Sequence, residues 1–181
     1  VPNANRKDVR DTVEISSKAK DKQISSFNRS QILFYLAENL QDKENNFVEL
    51  LSSLTGLQKN ETKKEFEKSK ERIFYYASMA DKFEGSIHNP PMRGLTLAVK
   101  EPIGLIVSIL NDQFPLLSLI TVLSANFSAG NSSIIIPGEK TSLIASEIYS
   151  FPSDLNPFIA KKILFFFTNL LLNEISEKYV L

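Results

Sequence analysis

The 181-residue chain contains no cysteine and a single histidine, His88. The first absence excludes disulfides, thiolate metal sites and a cysteine nucleophile within these residues. The second excludes any site that needs two imidazoles. Neither sign of charge is in excess, with 21 basic residues against 21 acidic ones. The basic surplus that usually marks a nucleic-acid binder is therefore missing, and no nucleic-acid partner is expected. No basic stretch followed by an apolar run opens the chain, so no secretion signal is legible and a cytoplasmic location is expected. The start at Val1 rather than Met points to a fragment or a processed chain. The most apolar run, Ile163 to Leu172, has 10 residues. A membrane-spanning helix needs roughly 20, so no span is expected.

Hydrophobic residues make up 43% and charged residues 23%, as in ordinary globular proteins. The charge is uneven. Residues 1–85 hold most of it, and residues 1–93 read as a helical region. A loose stripe of Val9, Val13, Ile15 and Ala19 predicts a helix between about Arg6 and Lys22. Ile32, Leu33, Leu36 and Leu40 share a face over 28–40, after a polar "SSFNRS" that offers N-caps. Phe47, Leu50, Leu51 and Leu54 predict a third helix, stopped by Gly56. The stripe Phe66, Ile73, Ala77, Ala80 and Phe83 predicts a fourth over 61–84, with Thr62 and Glu65 as its capping box and Gly85 as its stop. Its charged face reads as solvated. "GSIHNPPMRG" then reads as a turn-rich break, with His88 in it as filler.

Residues 94–150 change character. "LTLAVK" alternates Leu95, Leu97 and Val99, a half-buried strand. "IGLIVSIL" at 103–110 is an unbroken apolar run, as in a strand covered on both faces. Leu116 to Phe127 is apolar nearly all round, which predicts a buried helix with Pro115 in its first turn and Gly130 just past its end. "SSIIIP" is a second buried strand, and Thr141 is placed to cap the short helix after it. Strand, helix and strand joined by a right-handed crossover make a parallel pair. The fold class is therefore α/β, with N-terminal helices on a partial, Rossmann-like parallel sheet. Residues 151–181 form a divergent apolar tail whose Ile163–Leu172 run reads as a buried or partner-facing helix. The far sheet edge is expected to be unpaired and one sheet face uncovered.

"EPIGLIVSILNDQFPL", "SANFSAGN" and "SIIIPGEKTSL" resemble, in order and spacing, three segments of the aldehyde dehydrogenase superfamily. There they read approximately EP-I/L-G-V-V-G-x-I-x-P-W-N-F-P-L, A-L-A-x-G-N and x-V-V-x-K-P-S/A-E-x-T-P. "DVRDTVEISSKA", "RSQILFYLAENL" and "IFYYASMADKFEG" are similar to the family's N-terminal helices, so the resemblance covers roughly residues 5–150. The flavour is closest to the family 16 aldehyde dehydrogenases with their degenerate second module. The resemblance implies a truncated aldehyde dehydrogenase-like fold, NAD or NADP as cofactor, and assembly as a homo-oligomer or with the remainder of a longer dehydrogenase chain. It implies oxidation of an aldehyde through attack by a cysteine thiolate. It places Gln113 at the position of the asparagine that donates to the oxyanion. Ile109, Leu110, Pro137 and Glu139 fall at cofactor-binding positions, and Ile136 replaces the lysine that holds the adenosine ribose. No metal is implied.

The departures matter. Gln113 offers the same amide on a longer arm, and displacement of such a donor by about 1 Å can remove much of its effect. Asp112 brings a carboxylate beside the place where negative charge would develop. Losing the lysine at Ile136 is expected to cost on the order of 1–3 kcal/mol of cofactor affinity. The family's later cofactor turn, general-base glutamate and nucleophilic cysteine have no counterpart in these residues. The resulting expectation is an aldehyde dehydrogenase-family portion, inactive alone. The alternatives are a non-catalytic structural or oligomerisation module, and an α/β domain of unknown ligand in which "IIIPGEKT" is only a strand end and a helix cap.

Overall fold

A computed structural model describes residues 7, 10–14, 24–83, 85–91, 93–138, 141–149 and, for the backbone, 163–165. Residues 7 and 10–14 are helical, and there Thr12 is buried while Val13 is exposed. The expected stripe is thus off by one residue where it can be tested; Val9, Ile15 and Ala19 lie outside the described residues.

Three long helices follow: α1 (Ser26–Asp42), α2 (Glu44–Thr55) and α3 (Lys59–Met79). Ser25 caps α1, its hydroxyl oxygen accepting from the Asn28 N–H at 3.2 Å. The apolar face of α1 buries Leu33, Leu36, Ala37 and Leu40. The Ser30 hydroxyl donates to the Ala77 carbonyl at 2.7 Å and pins α1 to α3. Helix α2 stops at Gly56, whose φ of 74° is left-handed and suits a residue without Cβ.

Helix α3 begins one turn earlier than the Thr62–Glu65 pattern predicts. Gln58 and Glu61 form the capping box, because Glu61 reaches back to the Gln58 N–H at 3.3 Å. Thr62 and Glu65 then fall in the second turn and face the interior. The helix also ends earlier, at Met79. Phe83 therefore leaves the buried stripe and is half exposed, with the Lys100 ammonium 4.9 Å from its ring centre.

The predicted break at 85–94 contains a strand. β1 (Ser86–His88) pairs antiparallel with β2 (Thr96–Ala98), so His88 lies opposite Thr96. Both strands are exposed throughout, and Leu95, Leu97 and Val99 are exposed rather than half-buried as the alternation predicts. Among the described residues no second layer covers this pair, and two strands alone bury little apolar surface.

β3 (Leu105–Ile109) and β4 (Ser132–Ile136) pair in parallel, Ile109 opposite Ile136, as the crossover through α4 (Pro115–Ser128) requires. Helix α4 is buried nearly all round, with Pro115 in its first turn and Gly130 (φ 82°) just beyond its C-cap. β4 is buried from Ser132 to Ile135, and Ile136 at its end is half-buried. β3 is not: Val107 and Ile109 are more than half exposed, so one of its faces is open rather than covered. A short helix, α5 (Thr141–Tyr149), starts with Thr141 as its first residue rather than its cap. One continuous core joins α1, α2 and α3 to α4, β4 and α5, through residues such as Leu40, Phe47, Phe66, Leu119, Ile135 and Ile144.

In the tail, residues 163–165 form a strand, β5 (Ile163–Phe165), not the start of a helix. It pairs in parallel with Ser133–Ile135 of β4, giving the sheet order β3-β4-β5. β4 is thus paired on both sides, in a three-stranded parallel sheet. The β-branched and aromatic side chains of "ILF" suit a strand, and the β4 edge offers unpaired N–H and C=O groups to match.

Candidate functional site

Two turns meet above the C-terminal ends of β3 and β4. The first, 110–114, leads into α4; the second opens with Pro137 and Gly138 after β4, and α5 begins at Thr141. Ligands of open parallel sheets ordinarily bind at this edge. Continuation of the ladder holds the turns together, the Leu110 N–H donating to the Ile136 carbonyl at 2.9 Å.

The side chain of Asp112 bridges the turns. Its Oδ1 accepts from the Thr141 N–H at 3.1 Å and from the Thr141 hydroxyl at 3.0 Å. The carboxylate therefore serves the N-terminus of α5, where a negative charge is favoured. A Cβ on Gly138 would lie 2.7 Å from the Asp112 carboxylate carbon, so a larger residue there would press on this carboxylate and shift it. Within the first turn, Asn111 Oδ1 accepts from the Gln113 N–H at 3.3 Å.

Below the turns, the N-terminus of α4 is satisfied from an unexpected direction. Glu65 of α3, only 6% exposed, accepts through Oε1 from the N–H groups of Leu116 (2.9 Å) and Leu117 (3.1 Å). Burial pushes its carboxyl pKa above the ordinary range, and the two backbone N–H donors pull against that shift. At the other end of α4, Arg29 donates to the Ser128 carbonyl at 3.0 Å and to the Ile24 carbonyl at 2.6 Å; its burial lowers the guanidinium pKa. Asn131 Oδ1 accepts from the Gly104 N–H at 2.9 Å and ties the start of β3 to the start of β4.

Of the residues singled out from sequence, Ile109, Leu110, Gln113, Ile136 and Pro137 lie at this edge. Gln113 is exposed and Ile109 is 80% exposed, while Leu110 is half-buried and Pro137 buried. Glu139 lies outside the described residues. Sequence patterns pointed away from Glu65, which looked like a local cap. They also missed the pairing of Asp112 with Gly138, which becomes visible only once the two turns face each other. Among the described residues no group of three or more His, Asp or Glu side chains is placed to hold a metal ion. Among them too, no helix is long and apolar enough to cross a membrane.

The sequence profile of the aldehyde dehydrogenase family matches residues 1–155. The lactaldehyde dehydrogenase of Methanococcus maripaludis is 28% identical over 142 residues, which are 77% of this chain and 30% of that protein. The betaine aldehyde dehydrogenase of Bacillus subtilis is 27% identical over 154 residues, 82% of this chain and 31% of that protein. The chain thus spans about 30% of the length of these relatives. Among solved structures, the glyceraldehyde-3-phosphate dehydrogenase of Methanocaldococcus jannaschii, complexed with NADP, superposes with a TM-score of 0.85 at 18% identity, over 93% of this chain and 38% of that one. A betaine aldehyde dehydrogenase of Staphylococcus aureus in complex with NAD+ gives 0.85 at 20% identity, over 92% of this chain and 35% of that one. At these identities the likeness is one of fold.

Proposed function

This chain belongs to the aldehyde dehydrogenase family, of which it covers the N-terminal part, and from that premise we propose that it is the scaffold portion of an NAD- or NADP-dependent aldehyde-oxidising enzyme, closest to the family 16 members. The observation that carries this reading is the approach of the 110–114 turn to Gly138 and Thr141 at the C-terminal edge of a parallel strand pair. In it, the exposed Gln113 amide is the donor for an oxyanion. Ile109, Leu110 and Pro137 form an apolar wall, and Glu139 accepts from a ribose hydroxyl. With no cysteine among these residues, the nucleophile comes from elsewhere and the chain alone does not turn over aldehyde. We place the protein in the cytoplasm and divide it into a helical region (1–93), a partial dinucleotide-binding region (94–150) and a tail (151–181).

A thermal melt followed by circular dichroism, with and without millimolar NAD or NADP, tests the reading. The expected result is cooperative unfolding with a midpoint raised by about 1–3 °C by one nucleotide, and no rise in Glu139→Ala. A cooperative melt that neither nucleotide moves would leave the second reading, a non-catalytic oligomerisation module. That reading is favoured by the exposed apolar residues Ile87, Leu95, Leu97 and Val99 on and beside the β1–β2 pair.

A further inference from the structure

The β3-β4-β5 sheet has two faces, and only one of them is built into the core. Side chains alternate across a strand, so β4 sends Ser133 and Ile135 to one side and Ser132, Ile134 and Ile136 to the other. Ile135 belongs to the core that joins the helices, and so do Ile144, Ala145 and Ile148 of α5. Helices α4 and α5 therefore lie on the Ile135 side, as two successive right-handed crossovers in this strand order require. The other side carries Ile134 and Ile136 and, beside them in register, Val107 and Ile109 of β3. None of these four belongs to the helical core.

Exposure across this second face is graded. On β3, Ile109 is 80% and Val107 54% exposed, yet Ile134, the register partner of Val107, is only 4% exposed. Flanking strands alone do not hide a side chain that stands up from a sheet. Ile134 is therefore covered from above, by something seated toward β5 that stops short of the outer edge of β3. The connection from α5 to β5 does not supply this cover, because a right-handed crossover runs on the side of the helices. The chain beyond Phe165 does enter from the β5 side.

β5 runs parallel to β4, so residue 166 leaves at the sheet edge where Ile136 lies. A segment returning across the face spans a strand of 5 residues, about 17 Å. A helix covers that distance in about 11 residues, and residues 166–181 are long enough for a turn and such a helix. A helix also satisfies its own backbone N–H and C=O groups, as a layer laid on a sheet face must. The sequence fits this role. Leu171, Ile175 and Tyr179 recur every fourth residue with Leu172 beside them, while Asn173 and Glu177 fall on the opposite side.

We propose that the second face of the sheet is a docking surface for the chain's own segment 166–181, which lies across Ile134 and Ile136 as an amphipathic cover and leaves the Ile109 edge bare. Attachment to β5 favours this occupant over a second copy or a separate partner, because a tethered segment competes at an effective concentration on the order of millimolar. The proposal makes no use of the nucleotide crevice and stands or falls apart from it.

The chain has no cysteine, so an introduced pair supplies the only thiols. The experiment is crosslinking by a short bismaleimide of the full chain carrying Val107→Cys with Ile175→Cys, at micromolar protein, read by denaturing electrophoresis and mass spectrometry of the linked peptides. The control pair is Tyr35→Cys with Ile175→Cys, since Tyr35 stands on α1, whose buried face joins the Ile135 side. Val107 and Tyr35 are both more than half exposed, so neither change disturbs the core. The expected result is a link within one chain, several-fold more abundant for the Val107 pair than for the control. Equal linking in the two pairs, or none in either, overturns the proposal. So does a link between two chains, which would give the face to a second copy. Should the paired variant not fold, binding of a hydrophobic dye by the full chain decides. Fluorescence raised several-fold by Ile175→Asp but not by Val180→Asp, on the opposite side of the helix, supports the cover, and an equal response to the two overturns it.

Discussion

Glu65 brings a carboxylate into the core, where the Leu116 and Leu117 N–H groups answer it. Replacing it with alanine orphans two N–H groups, one fully buried, so Glu65→Ala should lose on the order of 1–3 kcal/mol in denaturant unfolding. The raised pKa sets a sign for pH. The folded chain holds the Glu65 proton more tightly than the unfolded chain does, so unfolding releases it. Stability from this group is therefore largest at acid pH and declines as pH rises from the ordinary carboxylate range through the raised value. Subtracting the melting profile of Glu65→Gln from that of the unsubstituted chain should isolate a decline across that window, and a flat or rising difference would contradict it. Gly138 gives a second residue-scale test. Gly138→Ala should destabilise by roughly 1–3 kcal/mol through collision with Asp112, and part of that loss should vanish in the Asp112→Ala background. Additive effects in the double-mutant cycle would mean that the two residues do not press on one another.

At the scale of elements, α4 and β2 carry similar apolar residues to opposite fates. Phe127 of α4 is 1% exposed, and Phe127→Ala should cost about 3–5 kcal/mol. Leu97 of β2 is 58% exposed, and Leu97→Ser should change the stability of the isolated monomer by no more than about 0.5 kcal/mol. The same substitution bears on association. If the β1–β2 face is covered by a second copy, sedimentation should show Leu97→Ser shifted toward monomer. An unchanged distribution would remove that face from the oligomer.

At the scale of the molecule, the sheet depends on a long-range closure. The Ser133–Ile135 segment of β4 is held between β3 and β5, and β5 comes from the tail. A chain ended at residue 155 lacks β5 and leaves an unpaired parallel edge. It should scatter more light on warming and melt at a lower temperature than the full chain, since bare edges template aggregation. Equal melting and equal scattering would show that the β5 pairing contributes little.

Local sequence determined what local physics controls. The 3.6-residue spacing of Leu33, Leu36 and Leu40, the stop at Gly56, the apolar circumference of 116–127 and the parallel β3–β4 pair were all legible, because each depends on neighbours in the chain or on crossover handedness. Ile109, Leu110, Gln113 and Pro137 were named through the family resemblance, and in the fold they lie at the ends of β3 and β4 or just beyond them. Exposure of Leu97, Val107 and Ile109 was not legible, because an apolar strand reads the same whether or not a second layer covers it. Nor was the partner of Glu65, a residue 51 positions from Leu116, or the fit of Asp112 against Gly138. Those contacts join segments distant in the chain, and a carboxylate's role is set by which N–H groups the folded backbone brings to it. Only the tertiary structure decided that.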